Sequence, residues 1–429
     1  MGAGLLYLML AYRHPGPAWL LVWLAVPFSI ETLVPGGHAL YLPTEPMVAL
    51  ALLAWAARLM TCGKALRLPA SRLHAPLAAL AVATLLSVAQ SRYALLGSKA
   101  WIVAAGYVAF AYLYCFLDDE TVERAERWYP WVVGSAAAWG LYGTVRVALA
   151  GVSLQSAYGA ARPFFTEHGA YAAYLAMILP LALLLALSRQ GKARVRYAAA
   201  SALIALGIAL SLTRAAWVSL AVAIPLAVGL WSWWRRSLKP VAGVAALALL
   251  VLVILAGVGA GARITRHAGS ITAAEDASNL ERVNRWMAAV EMARDRPWLG
   301  VGYAVYPLAY PEYRRKTIIT ELAYQHMGPH SEPMRLISET GLLGFLAAGW
   351  FMGAAFVLGA RVVRRSRDPR GRLLSLALVA GLITYAVHSV FRTYLDLEKV
   401  AVPFWASLGL LAALGRRLDA APPRPTMGP

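Results

Sequence analysis

Residues 168–188 read HGAYAAYLAMILPLALLLALS, twenty-one positions without one Asp, Glu, Lys or Arg, followed at once by Arg189, Lys192, Arg194 and Arg196. About 20 apolar residues in a helix cross the hydrocarbon of a bilayer, so this stretch reads as a membrane span stopped by a basic loop. The pattern recurs along the chain. Cutting the uncharged runs at charge clusters and at Pro or Gly predicts twelve spans, near 14–34, 45–61, 73–91, 94–117, 128–150, 168–188, 195–212, 214–234, 240–262, 333–360, 373–391 and 399–415. Leu5 to Tyr12 is too short to span, and lies along the interface or extends the first helix. The expected fold class is all-α: a polytopic membrane protein of about twelve transmembrane helices, one transmembrane domain over 1–429.

Composition gives the same answer. The 429 residues are 60% hydrophobic and only 14% charged, with mean hydropathy +0.59, whereas soluble domains are about 25% charged. Lys and Arg number 40 against 21 Asp and Glu. Nucleic-acid binding would gather that excess on a soluble module, but here it sits between apolar runs, so no nucleic-acid partner is expected. The two cysteines, Cys62 and Cys115, fall toward one side and read as packing residues. No basic region precedes the first apolar stretch, and Arg13 follows it, so a cleaved signal peptide is not expected.

Short loops rich in Lys and Arg stay cytoplasmic. Arg58, Lys64, Arg67 and Arg72, the cluster at 189–196, Arg235, Arg236 and Lys239, and the six arginines from Arg361 to Arg372 all fall on one side. That side is assigned as cytoplasmic, together with both termini. Ten of the remaining basic residues lie in one long loop region, Arg263 to Arg335, on the opposite face.

This loop, 263–332, is long enough to be functional, and its sequence predicts partial helicity. Ser278 and Glu281 have capping-box spacing ahead of a helical pattern that ends near Arg296-Pro297, and Gly300 and Gly302 supply a turn. A second amphipathic stretch, Tyr310 to Leu322, carries Arg314, Arg315 and Lys316. No repeat of 20 to 50 residues is present.

Ionisable groups beside a cavity at a membrane surface are functional candidates. Arg214 stands at the tight junction of two spans, where an arginine could also simply snorkel to water. Arg282 and Arg285, spaced i and i+3, can project together from the loop helix. Two guanidinium forks suit a pyrophosphate, although a solvated helix face paired with Glu281 and Glu291 has the same pattern. His330 precedes Ser331, a good N-cap, and Pro333, tolerated in a first turn. The positive end of that helix disfavours imidazolium and keeps the ring neutral, as a general base must be; hydrogen bonding within its own loop is the plainer use. The chain has no G-x-x-x-x-G-K-[ST] loop, no H-E-x-x-H helix and no extracytoplasmic Asp-x-Asp pair. No cofactor and no metal are therefore expected. Gly341, Gly344 and Gly349 allow close helix packing.

Three segments, SLTRAAW (211–217), ERVNRWMAAVEMARDRPWLGVGY (281–303) and HSEPMRLISETGLLGF (330–345), together resemble the O-antigen ligase and polymerase superfamily of bacterial membrane proteins. Arg214, Arg282 and His330 match its motif positions; Ser331 replaces the common Asn, and an Ala of RAAW stands where Gly is frequent. The motifs span roughly 40 residues, with the hydropathy pattern extending the likeness along most of the chain. The resemblance implies a GT-C-like glycosyltransferase of the bacterial inner membrane whose active site faces the periplasm. Its donor would be a glycan on undecaprenyl diphosphate and its acceptor the lipid A-core oligosaccharide, in a bed of membrane lipid. His330 would be the base, while Arg214 and Arg282, with Arg285, would hold the diphosphate without metal, in an inverting transfer. It leaves Arg392, His168 and His388 without a role. One large loop in the second half favours a ligase; a polymerase that extends lipid-linked glycan, and a protein O-oligosaccharyltransferase, share the motifs. A lipid-linked glycan transporter would also have twelve helices, but matching inverted halves are not seen.

Overall fold

The computed structural model describes residues 2–34, 38–61, 68–117, 121–257, 277–314 and 328–420. In chain order the elements are α1 (Gly2–Arg13), α2 (Pro15–Ala25), β1 (Ile30–Val34), β2 (His38–Leu42), α3 (Thr44–Thr61), α4 (His74–Gln90) and α5 (Ala94–Leu117). There follow α6 (Thr121–Ala150), α7 (Leu154–Gly159), α8 (His168–Ser188), α9 (Gly191–Leu210), α10 (Arg214–Arg235) and α11 (Lys239–Gly257). The last five are α12 (Ala277–Asp295), α13 (Tyr306–Tyr313), α14 (Glu332–Arg365), α15 (Pro369–Ser389) and α16 (Glu398–Ala420). Among the described residues, eight helices have the length and apolar composition to cross a membrane: α5, α6, α8, α9, α10, α14, α15 and α16. Pro15–Phe28, His74–Gln90 and Lys239–Val253 are shorter apolar helices, and α3 carries Glu45 and Arg58. The chain is a polytopic helical membrane protein.

Two features depart from the expected pattern. The anticipated span at 14–34 stops at Phe28, because Ile30–Val34 and His38–Leu42 pair as an antiparallel hairpin with Ile30 opposite Leu42. Its signal is present in the sequence, a Pro-Gly-Gly at 35–37 between two runs of strand formers. Gly2–Arg13 forms a helix separate from α2 and folds back on its neighbours, with the Tyr7 hydroxyl donating to Ala18 O at 3.1 Å and Arg58 Nη1 to Tyr12 O at 3.0 Å. Cys62, residues 315–322 of the second amphipathic stretch and the side chain of Ser278 lie outside the described residues.

The core is built around α8 and α16, most residues of which are buried. Lipid tails are as apolar as leucine, so helices in a bilayer associate through close packing rather than through the hydrophobic effect. Small residues make that packing possible. Gly140 of α6 and Gly207 of α9 bring the two backbones into contact beside Tyr171 of α8, whose hydroxyl donates to Trp139 O at 2.9 Å. In α5 a π-helical segment at Val108–Leu113 receives Gly409 of α16 against the Tyr112 backbone.

One joint positions the functional end of the molecule. Helix α14 is interrupted at Gly341, where φ is 62° and ψ is −164°. The break frees backbone groups that an unbroken helix would use internally, and residues 297–302 take them up. Val301 N donates to Ser338 O at 2.9 Å, Gly302 N to Glu339 O at 3.0 Å, and Leu342 N to Pro297 O at 2.7 Å. A Cβ on Gly300 would overlap the Glu339 backbone, and one on Gly341 the Trp298 backbone, so the two glycines are required by their mutual approach. Ser87 and Gln90 of α4 add bonds to Glu339 O and Gly300 O, both at 2.7 Å. The Glu339 carboxylate then receives the amides of Ala304 at 2.9 Å and Tyr306 at 3.0 Å, fixing the start of α13. The turn that the glycines predict is thus docked into a transmembrane helix.

Candidate functional site

Beside this joint, three helices begin together. Ser331 caps α14, accepting from Met334 N at 3.5 Å, with Pro333 in the first turn. Thr213 precedes α10, whose first residue is Arg214, and its hydroxyl donates to the carbonyl of His168 at 3.4 Å. His168 in turn opens α8 behind Glu167. Segment 390–397, between α15 and α16, closes the group through Arg392. Its Nη2 lies 3.1 Å from Glu167 Oε2, and its Nη1 hydrogen-bonds His330 Nδ1. Helix N-termini carry partial positive charge and unpaired amides, so a cleft bordered by such ends accepts anions.

His330 is held here by backbone geometry. Its φ of 53° is in the left-handed region, where a side chain costs about 1–2 kcal/mol. The preceding carbonyls are tied down: Trp286 Nε1 donates to Pro329 O at 3.0 Å and Arg285 Nη1 to Gly328 O at 3.3 Å. Loop helix α12 therefore aims the imidazole. Burial, followed by the charges of Arg392, Arg285 and Arg282, lowers the His330 pKa to about 3. The ring is neutral throughout the physiological range, surrounded by cations.

The two arginines of α12 are put to different uses. Arg282 is half-buried and its charge reaches both His330 and Tyr394. Arg285 has a fully buried side chain whose Nε donates to Glu281 at 2.7 Å, and its guanidinium sits 4.9 Å from the centroid of the Tyr310 ring. Tyr306 also donates to the Arg285 carbonyl at 2.7 Å. The spacing i, i+3 does not put both forks on one open face.

Arg392 carries the connection between His330 and α8, and nothing local in the sequence signals it, since 62 positions separate it from His330. Its segment is backed by Tyr394, whose hydroxyl a Cβ on Gly169 would overlap. His388, fully buried, stands edge-on to Tyr394 at 5.3 Å, and His168 stacks on Tyr158 at 4.0 Å. Asp396, on the same segment, has its pKa raised to about 6, chiefly by burial. Among the described residues, no three His, Cys, Asp or Glu side chains converge as a metal-ligand set.

From the mouth of α14 an apolar cavity of about 400 Å³ runs between α4, α5, α14, α15 and α16. Its polar end is formed by Tyr303, Tyr385 and the Glu332–Arg335 ion pair, with Arg335 also 3.1 Å from Glu339. Leu80, Trp101, Phe345 and Phe404 are among its apolar walls. The cavity reaches Glu332 and Pro333 in the first turn of α14, next to His330 in the chain, so an apolar slot lies close to the charged cleft, as an amphiphile requires.

The family model described as O-antigen ligase matches residues 199–349, the portion that runs from α9 into α14 and contains Arg214, Arg282, Arg285 and His330. No curated protein matches the chain. The match covers about a third of the chain and falls on the segments that build the His330 cleft, which supports membership of the O-antigen ligase superfamily.

Proposed function

We propose that this protein is an O-antigen ligase of the bacterial inner membrane, a metal-independent glycosyltransferase with a twelve-span, GT-C-like fold, cytoplasmic termini and a cleft facing the periplasm. In this reading the donor is a glycan on undecaprenyl diphosphate and the acceptor a hydroxyl of lipid A-core. The observation that carries it is the neutral His330 imidazole among the charges of Arg392, Arg285 and Arg282. Such a site supplies a base and stabilises a polyanionic leaving group with the same set of residues. The apolar cavity beside it suits the lipid portion of a substrate.

The acceptor oxygen forms its bond to the anomeric carbon as the bond from that carbon to the phosphate oxygen breaks. Lipid diphosphate leaves with the electron pair, and the hydroxyl proton passes to His330. Attack from the face opposite the leaving group inverts the anomeric centre. Arg214 and Arg282 present forks to the diphosphate, in the place that a divalent cation fills in other diphosphate chemistries. Arg285 adds its charge from inside the fold and holds the His330 loop in position.

Incubating purified protein with undecaprenyl-diphosphate glycan and lipid A-core in chelator tests this reading. Glycan on lipid A-core is the expected product. Lengthening of glycan on its own lipid carrier would make the protein a polymerase, glycan on an added acceptor protein an O-oligosaccharyltransferase, and intact donor moved across a vesicle membrane a transporter.

A further inference from the structure

The bond between Arg392 and His330 has a definite polarity. A guanidinium has donors only, so Nδ1 of His330 is the acceptor and its lone pair is occupied. The neutral ring then carries its proton on Nε2. Neither nitrogen of the resting ring is available to take a proton, which conflicts with a base that is always ready. Arg392 is itself divided, since its other arm is held by Glu167 at 3.1 Å, and that carboxylate is 42% exposed. A diphosphate offers the same fork two anionic groups and bidentate geometry, a stronger partner than a nitrogen lone pair and a solvated carboxylate. Tyr394, two residues along, packs its hydroxyl against Gly169 and seats the segment, while the Arg392 side chain keeps 23% of its surface exposed and can change partners.

We propose that Arg392 is a donor-sensing latch on His330: without donor its guanidinium caps Nδ1, and a bound diphosphate draws it away and frees that nitrogen for the acceptor proton. The inference rests on the reading of His330 as the base. It makes Arg392 a positioning residue that becomes a diphosphate ligand, and it imposes an order in which donor binds before the acceptor hydroxyl can be deprotonated. When the transfer occurs, the acceptor proton lands on Nδ1 and the ring becomes imidazolium, balanced by the diphosphate beside it. The charged groups around the ring are Arg282 and Arg285 from α12, the latter paired with Glu281, and Arg392 paired with Glu167 at the start of α8. Two negative charges entering among these cations also raise the His330 pKa toward the range of a working base.

Diethylpyrocarbonate acylates an imidazole nitrogen whose lone pair is free, so it reads the latch without any glycan transfer. Full-length protein in lipid nanodiscs is treated with the reagent, with and without inorganic pyrophosphate, and modified His330 is quantified by peptide mass spectrometry against the exposed His14. In the unaltered protein His330 reacts slowly, and pyrophosphate accelerates it by about tenfold, the scale of one charge-assisted hydrogen bond. In Arg392→Gln it reacts fast with or without pyrophosphate. Equal rates in both proteins without pyrophosphate, or no acceleration of the unaltered protein by it, would overturn the latch. Should Arg392→Gln not fold, Glu167→Gln serves: its His330 stays slow but responds to less pyrophosphate, and an unchanged or higher requirement overturns the proposal. A failed latch leaves the transferase reading standing, and a working latch in a protein that transfers nothing contradicts only that reading.

Discussion

Replacing Arg285 by Met separates a buried positioning arginine from a diphosphate ligand. The side chain is fully buried and Glu281, its ion-pair partner at 2.7 Å, is only 2% exposed. Breaking a buried pair by removing one partner costs about 3–5 kcal/mol, because the remaining charge is left in a poorly solvated place. The stacking on Tyr310 and the bond to Gly328 O are lost with it. The cost should be local to α12 and 328–331, since the pair lies within α12 and the Arg285 side chain reaches outside it to the Tyr310 ring and the Gly328 carbonyl. At about 1.4 kcal/mol per decade, amide hydrogen exchange in peptides covering 281–295 and 328–334 should speed up by about two to three orders of magnitude in Arg285→Met. Glu281→Gln with Arg285→Met removes both charges and should restore at least half of the protection on the logarithmic scale. If Arg285→Met leaves exchange unchanged while pyrophosphate binding disappears, Arg285 is a ligand of the diphosphate and the burial reasoning fails.

Further outcomes follow from the same geometry. The His330 pKa falls from 6.5 in an unfolded chain to about 3 in the fold, so the unfolded chain binds the proton first. The stability this neutral ring contributes is present above about pH 6.5 and drains as pH falls toward 3, amounting to about 2 kcal/mol lost by pH 5. His330→Gln should therefore show a smaller drop in thermal midpoint between pH 7 and pH 5 than the unaltered protein, and an equal drop would contradict the assignment. Gly169→Ala puts a methyl into the Tyr394 hydroxyl; transfer should fall at least tenfold, and adding Tyr394→Phe should recover part of it, whereas no recovery would mean that the clash lies elsewhere. Arg282→Lys keeps the charge but not the fork, so kcat/KM for donor should drop about tenfold or more, and full activity would argue against bidentate contact.

Much of the architecture is legible in the sequence because it is local. Uncharged runs end where charges begin, and α8, α10, α14 and α15 start or stop within a few residues of the positions those charges predict. Ser331 and Pro333 mark the start of α14, and Gly300 and Gly302 mark a turn, for reasons confined to a few neighbouring dihedrals. What escapes the sequence is long-range. Gly341 reads as a packing glycine inside a continuous span, and its role as a break exists only because residues 297–302 arrive to satisfy the freed backbone. Arg285 shares helical spacing with Arg282, but spacing does not say which face another element covers; Tyr310 and the 328–330 segment decide that. Arg392 reaches His330 across two transmembrane helices, α14 and α15, so no motif joins them. The sequence at 30–42 sets Pro-Gly-Gly between two runs of strand formers, yet a hydropathy count blends the first run into the first span and misses the hairpin.

The central claim is that His330 takes the acceptor proton while the surrounding guanidiniums carry the leaving diphosphate. Single-turnover transfer from undecaprenyl-diphosphate glycan to lipid A-core, in chelator, with unaltered protein and His330→Ala side by side, addresses it most directly. The account predicts glycan on lipid A-core with the unaltered protein and a rate at least a hundredfold lower with His330→Ala, the scale of one general base, while donor binding persists. Transfer by His330→Ala at the unaltered rate would contradict it.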